Sequence, residues 1–262
     1  MTFRTLIVTA VAAEADSVAR GLPFHGPGSG EVPLPGGFAL RRHVAVPEPD
    51  PTAVSGEAPA RPRSGALADV LVGGVGPAAV AAATATALAV AAAPYDLVVS
   101  AGIAGGFPSL APLGSVVVAD SLVAADLGAQ TPDGFLDVEA LGFGRSTHHA
   151  PAALTRRVSA ALAEGGQRHT VGPVLTVSTV TGTAARAAEL TRRHPGAAAE
   201  AMEGFGVAEA ATAYGVPVVE LRAVSNAVGP RDRAAWRIGE ALDALRNAFQ
   251  LLSHSVLVEP AP

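Results

Sequence analysis

Three polar residues fall where a strand-like run gives way to a turn or a helix: Glu14, Glu203 and Asn226. Glu203 lies in Ala198-Ala199-Glu200-Ala201-Met202-Glu203-Gly204-Phe205-Gly206-Val207-Ala208, a run of mostly small and apolar residues. An ionised carboxylate is costly to bury unless something pairs with it. The residues before Glu203 read as a buried strand and Gly204 onward as a helix start. Glu203 is therefore expected at the carboxyl end of a strand, where open α/β sheets bind ligands. Glu14 follows the strand-like Leu6-Ile7-Val8-Thr9 and opens a helix at Glu14-Ala15-Asp16-Ser17-Val18. Asn226 closes the run Val216 to Ser225. A plainer role stays open for both acids, because the first turn of a helix favours negative charge.

Brought together by a central sheet, two carboxylates and one amide suit cleavage of a ribosyl C–N bond. That reaction builds positive charge on the sugar, which a nearby carboxylate stabilises. A second carboxylate can act as general base on a water. A primary amide accepts from an N–H and donates to a C=O at once. A 6-oxopurine with a proton on N7 offers that pattern. Adenine offers the opposite polarity at position 6, where a protonated Asp fits better.

Composition narrows the class. The chain has 262 residues, 49% of them hydrophobic, enough for one large α/β domain or two small ones. A net charge of −5 argues against nucleic-acid binding, whose footprint is basic. The absence of Cys excludes a disulfide framework, a thiolate nucleophile and a Cys-based metal site. Met1 to Thr5 runs straight into a strand-like segment with no long apolar leader, so a cytoplasmic location is expected. The Ala-rich stretches are punctuated by Gly, Pro and Thr and do not read as membrane spans.

Along the chain, strands are expected at 66–72, 96–100, 113–120, 171–181 and 216–225, with short ones at 38–40 and 44–46. Helices are expected at 78–92, 151–163, 183–193, from 204 to 213 and at 237–252. Residues 47–64 read as a surface loop. Two Gly-rich turns follow consecutive strands, at 73–77 and 101–107. Neither is G-x-G-x-x-G, and neither is a P-loop. The polar segment Asp126 to Phe135 could line a pocket. His148-His149 reads as a loop pair with no further ligand at metal spacing, so no metal is expected. Strands and helices alternate along nearly the whole chain. That argues for one three-layer αβα domain over residues 1–262 with a central mixed sheet.

Four blocks resemble the purine nucleoside phosphorylase/hydrolase superfamily, most closely its methylthioadenosine/S-adenosylhomocysteine nucleosidase branch. They are Thr9 to Glu14; Gly73 to Gly106, including Ala101-Gly102-Ile103-Ala104-Gly105-Gly106; Ala201-Met202-Glu203-Gly204; and Arg222-Ala223-Val224-Ser225-Asn226. Their order and spacing are kept. Gly229-Pro230-Arg231-Asp232-Arg233-Ala234-Ala235-Trp236 is similar to superfamily members whose substrate carries hypoxanthine and, on its 5′ side, an aromatic carboxylate. The resemblance implies a hydrolase with Glu14 as water-activating acid, Glu203 as ribose-hydroxyl ligand and Met202 packed beside the sugar. It places Val180 and Thr181 in the loop that contacts the base, and Ile103, Ala104 and Gly105 against the substrate. Asn226 stands where adenine-specific nucleosidases carry the Asp that protonates N7, which favours hypoxanthine. Ile103 stands where many relatives have a hydroxyl, and no Gly-Asp-Pro-x-Arg phosphate loop lies near the N-terminus. Both departures favour water over phosphate as nucleophile.

Arg231 or Arg233 is expected to pair with the 5′ carboxylate, with Trp236 packed nearby; a surface loop and helix start is the plainer reading there. The resemblance implies a small-molecule nucleoside substrate and a homodimer. No cofactor, metal, nucleic-acid partner or membrane partner is expected. Competing readings are an inosine phosphorylase, an adenine-releasing nucleosidase and a non-catalytic nucleoside-binding protein on the same fold. A dinucleotide-binding oxidoreductase would need a G-x-G-x-x-G turn that is missing.

Overall fold

The structure is a computed structural model that describes residues 2–45 and 65–258. The loop expected at 47–64 lies outside the described residues. In chain order the elements are β1 (Phe3–Thr9), α1 (Ala12–Gly21), β2 (Gly30–Pro33), β3 (Ala39–Val44), β4 (Ala66–Val72), α2 (Pro77–Ala89), β5 (Leu97–Gly106), β6 (Val116–Ala124), β7 (Gly128–Thr131), β8 (Gly134–Asp137), β9 (Thr147–His149), α3 (Ala152–Glu164), β10 (His169–Thr176), α4 (Ala184–Arg193), β11 (Ala199–Ala201), α5 (Gly204–Ala213), β12 (Val218–Ala227) and α6 (Ile238–Leu252).

The central sheet is mixed and runs β11-β10-β6-β12-β5-β1-β4-β3-β2, with β9 added to β6. β1 pairs in parallel with both β4 and β5 and is buried almost throughout, as parallel strands covered on both faces are. One apolar layer joins Ala15 and Val18 of α1, Leu154 and Val158 of α3 and Leu245 and Phe249 of α6 to Ile7, Val99 and Leu221 of the sheet. The alternate residues Leu6, Val8 and Val98 meet Val80 and Ala83 of α2 and Val207 and Ala211 of α5 in a second layer. Period-two alternation in the strands thus divides the core between two helix layers. β11 also pairs with β5 antiparallel, so β5, β12, β6, β10 and β11 close into a ring.

Several expected boundaries move. The segment 101–107 is not a turn: β5 continues to Gly106, because β12 pairs with it on one side and β11 on the other. Its glycines answer crowding. A Cβ on Gly106 would lie 2.2 Å from the carbonyl oxygen of Ala111. β10 stops at Thr176 and not at Thr181, and the chain beyond is held by side chains: the Ser178 N–H donates to Asp126 and the Thr181 N–H to Glu200. Where two short strands are expected at 38–40 and 44–46, Ala39–Val44 is one strand, β3, paired with β4 through Leu40 to Val44, and Val46 lies outside the described residues. Asp126 to Phe135 contributes to the β7/β8 hairpin. His148-His149 belongs to β9, where the His148 ring bonds Glu209 (2.8 Å) and Thr212 (3.2 Å). Pro151 is the residue before α3 and not its first.

The turn at 73–77 does need glycine. Gly76 has φ of +93°, a region costly for residues with a Cβ, and it directs its N–H at Glu203 before Pro77 opens α2. Nearby, α5 passes so close to α2 that a Cβ on Gly206 would lie 2.2 Å from the carbonyl oxygen of Pro77. Gly206→Ala is expected to lower stability by about 2 kcal/mol, since backbone must move to admit the methyl. Urea denaturation checks this: an unchanged midpoint would show that the two helices can part without cost.

Candidate active site

The site is built over β5. Glu14 is the third residue of α1 and folds back over the helix start. Its Oε2 accepts from the N–H groups of Ala10 (3.0 Å) and Val11 (3.3 Å). These are backbone donors that a helix N-terminus leaves free. Its Oε1 accepts from the Ile103 N–H at 2.8 Å. The carboxyl is buried, and burial pushes its pKa above the ordinary Glu value, against the pull of Arg222 and those N–H bonds.

Glu203 immediately precedes α5 and is also buried. Its Oε1 accepts from Gly76 N–H and its Oε2 from Met202 N–H, both at 3.3 Å. Between the two acids lies Arg222 of β12, 1% exposed. Arg222 Nε donates to Glu220 Oε1 at 2.7 Å, Nη2 donates to Ser100 Oγ at 3.2 Å, and Nη1 lies 3.1 Å from Glu203 Oε2. Glu14 and Arg222 meet over Gly102, where a Cβ would lie 2.5 Å from Glu14 Oε1 and 2.7 Å from Arg222 Nη1. Glu220 is fully buried and its pKa is raised by that burial, with Arg222 opposing. Burial alone would lower the Arg222 pKa, but Glu220, Glu203 and Glu14 outweigh it and hold the guanidinium charged. With every group ionised, three carboxylates face one cation. The raised pKa of Glu14 and of Glu220 follows from that excess as well as from burial.

From this acid end a cavity of about 260 Å³ runs along β5. Glu14, Ile103, Ala104, Gly105, Val180, Thr181, Met202, Glu203, Asn226, Arg231 and Trp236 all line it. These eleven anticipated residues are therefore in one place. Asp126 to Phe135 and Arg233 are not in the lining. Asn226 follows a bulge: β12 pairs Val224 with Ala104 and Asn226 with Gly105, leaving Ser225 as the extra residue. Bulges re-aim side chains next to active sites. The Asn226 Oδ1 accepts from Ser225 Oγ (2.9 Å) and Nδ2 donates to the Ala227 carbonyl (3.1 Å). Gly102, under the acids, and Gly105, beside Asn226, are three residues apart, which along a strand is about 10 Å. That is the reach of a nucleoside from sugar to base. At the mouth, Arg231 and Arg233 approach the Trp236 ring at 5.4 and 5.8 Å from its centroid.

Sequence reasoning missed Glu200, Glu220 and Arg222 as site residues. Glu200 lines the cavity, and its carboxylate accepts from the Thr181 N–H at 2.8 Å and from the Thr181 hydroxyl. Burial raises its pKa, opposed by those two bonds. A signal was present in each case: a charge inside a strand-like apolar run, at Ala199-Glu200-Ala201 and Val219-Glu220-Leu221-Arg222.

Two buried acids locked by one arginine at one end of a nucleoside-sized cleft, and an amide at the other, fit an N-ribosyl-cleaving site. The chain belongs to the phosphorylase superfamily, whose family model matches residues 60–257. It is 59% identical over 251 residues to a futalosine hydrolase of Streptomyces coelicolor, covering 95% of this chain and 94% of the relative. Among solved structures, the futalosine hydrolase of Helicobacter pylori superposes with a TM-score of 0.75 at 17% identity, covering 96% of this chain and 97% of that one. The methylthioadenosine/S-adenosylhomocysteine nucleosidase of Neisseria meningitidis, in complex with methylthio-immucillin-A, gives a TM-score of 0.74 at 18% identity over 96% of this chain and 99% of that one. At those identities the superpositions establish the fold.

Arg222→Met is expected to cost about 3–5 kcal/mol by leaving buried carboxylates without their cation. The loss should shrink as pH falls, because protonation removes the uncompensated charge. Denaturation at pH 8 and at pH 5 checks this; an equal loss at both would mean packing, not charge, is what Arg222 supplies.

Proposed function

We propose that this chain hydrolyses the N-ribosyl bond of futalosine, releasing hypoxanthine and dehypoxanthine futalosine, a step of menaquinone biosynthesis. The observation that carries the reading is an amide, Asn226, at the base end of the cleft in a chain 59% identical to a futalosine hydrolase over 95% of its length. An amide complements the N7–H and C6=O of departing hypoxanthine. In this reading Glu203 accepts from the ribose hydroxyls and stabilises the oxocarbenium-like sugar as the glycosidic bond stretches. Glu14 takes a proton from the attacking water. Its raised pKa brings the carboxylate nearer to the operating pH, where a general base is most effective. Arg222 holds both carboxylates in place. An amide cannot supply the proton that hypoxanthine takes at N7, so that proton comes from solvent. Arg231 pairs with the aromatic carboxylate on the 5′ side, with Trp236 beside it. The resemblance supports a cytoplasmic homodimer, each copy a single domain over residues 1–262.

Base release in phosphate-free buffer, followed by chromatography with futalosine, inosine and methylthioadenosine in parallel, is the test. Hypoxanthine from futalosine without phosphate is expected. Turnover only on adding phosphate would instead make the chain a phosphorylase, and adenine from methylthioadenosine would overturn the role of Asn226. Glu14→Gln is expected to lower kcat by about 10²- to 10⁴-fold. Glu14 must be ionised to act as base, and burial raises its pKa above the ordinary Glu value. Activity should accordingly fall with falling pH through a limb above that value. A limb at or below it would remove Glu14 from the role. Arg231→Ala should raise KM for futalosine about 3- to 5-fold, as for an exposed ion pair, with kcat unchanged.

A further inference from the structure

We propose that Glu200 reads the N1–H of a 6-oxopurine from the wall opposite Asn226, so that two side chains, and not Asn226 alone, select hypoxanthine over adenine. The inference rests on the reading of the cleft as a purine nucleoside site. Gly105 pairs with Asn226 of β12 on one side and with Glu200 of β11 on the other. Asn226 and Glu200 therefore stand two strand spacings apart, about 9.6 Å between backbones, with both side chains on the cavity. That gap suits a purine ring held at both edges. Gly105 lies between them without a side chain; a Cβ there would lie 3.0 Å from Val228 Cγ2 and 3.2 Å from Asn226 Nδ2.

The polarity of the Glu200 wall is settled by its hydrogen bonds. Thr181 also lines the cavity, and both its N–H and its hydroxyl donate into the Glu200 carboxylate. Those donors are spent. A carboxylate has about four lone-pair directions, and Thr181 uses two of them, leaving acceptors for a ligand. Hypoxanthine carries a hydrogen on N1 and satisfies an acceptor there. Adenine carries a lone pair on N1 and meets this wall acceptor to acceptor, with both groups left unpaired. If Glu200 takes up a proton, its carbonyl oxygen still accepts. Asn226 reads N7 and O6, Glu200 reads N1, and the two together span the features that separate the bases.

The plainer role for Glu200 is to prop the loop after β10 through Thr181. The two roles separate by calorimetric binding of free hypoxanthine, 1-methylhypoxanthine and adenine to the wild type and to Glu200→Gln, with thermal unfolding of each protein. The wild type is expected to bind hypoxanthine about 30- to 100-fold more tightly than 1-methylhypoxanthine, as for loss of a hydrogen bond to a charged group. In Glu200→Gln the amide oxygen keeps the Thr181 N–H, while the NH₂ that replaces the second oxygen donates to the Thr181 hydroxyl and turns its other N–H to the base. Hypoxanthine should weaken by about 30-fold and adenine should bind as well or better. Equal weakening of both bases by Glu200→Gln, or a wild type indifferent to N1 methylation, would overturn the proposal. The wild-type comparison needs no variant to fold. A wild type that discriminates the bases yet cleaves no nucleoside supports the reading of Glu200 while overturning the hydrolase reading above.

Discussion

The acid end of the cleft depends on one guanidinium taken out of water. At an effective dielectric near 20, unit charges about 3 Å apart attract by about 5 kcal/mol. The penalty for burying each ion is of similar size. The arrangement around Arg222 is therefore close to break-even and holds only as a set. Remove one member and the others are left desolvated without a partner. This constraint reaches into the fold. Gly102 must lack a Cβ because Glu14 and Arg222 occupy that space, and Gly204 must lack one because the Glu220 carboxylate lies within 2.4 Å of where it would be. The Gly-rich character of the chain near its acids is thus set by charge placement as much as by turns.

The base end is organised by backbone register. The bulge at Ser225 puts Asn226 opposite Gly105, and the short strand β11 puts Glu200 opposite the same residue. A slip of one residue in either pairing would turn that side chain to the other face of the sheet. The two ends are thereby ruled by different physics: ion pairing fixes the sugar side, and hydrogen-bonded strand register fixes the base side.

The sequence made some of this legible and hid the rest for identifiable reasons. Glu14, Glu203 and Asn226 could be found because each interrupts an apolar pattern at the end of an element, where side chains reach a common crevice. The two helix layers followed from alternation. The run of β5 through Ala101-Gly102-Ile103-Ala104-Gly105-Gly106 was hidden, because glycine locally signals a turn and only its partners, β12 and β11, reveal a strand. The same holds for the stop of β10 at Thr176, where side-chain bonds to Asp126 and Glu200 override an apolar run. Arg222 and Glu220 were passed over because a charge in a central strand looks like a mismatch until Glu203 and Glu14, distant in sequence, are seen around the pair.

The placement of β12 has a consequence for how the molecule is made. β5 and β6 are consecutive in the chain, yet they do not pair; β12, from near the C-terminus, lies between them. Until residues 218–227 leave the ribosome, both flanking strands present an unfilled edge, the kind of surface that recruits other chains. The strand that fills the gap also brings Arg222 and Asn226. Closure of the sheet and completion of the pocket are thus one late event that pairs sequence-distant strands, which is slow for a polypeptide. Nascent chains stopped short of β12 would hold Glu14 without its cation and keep both strand edges open.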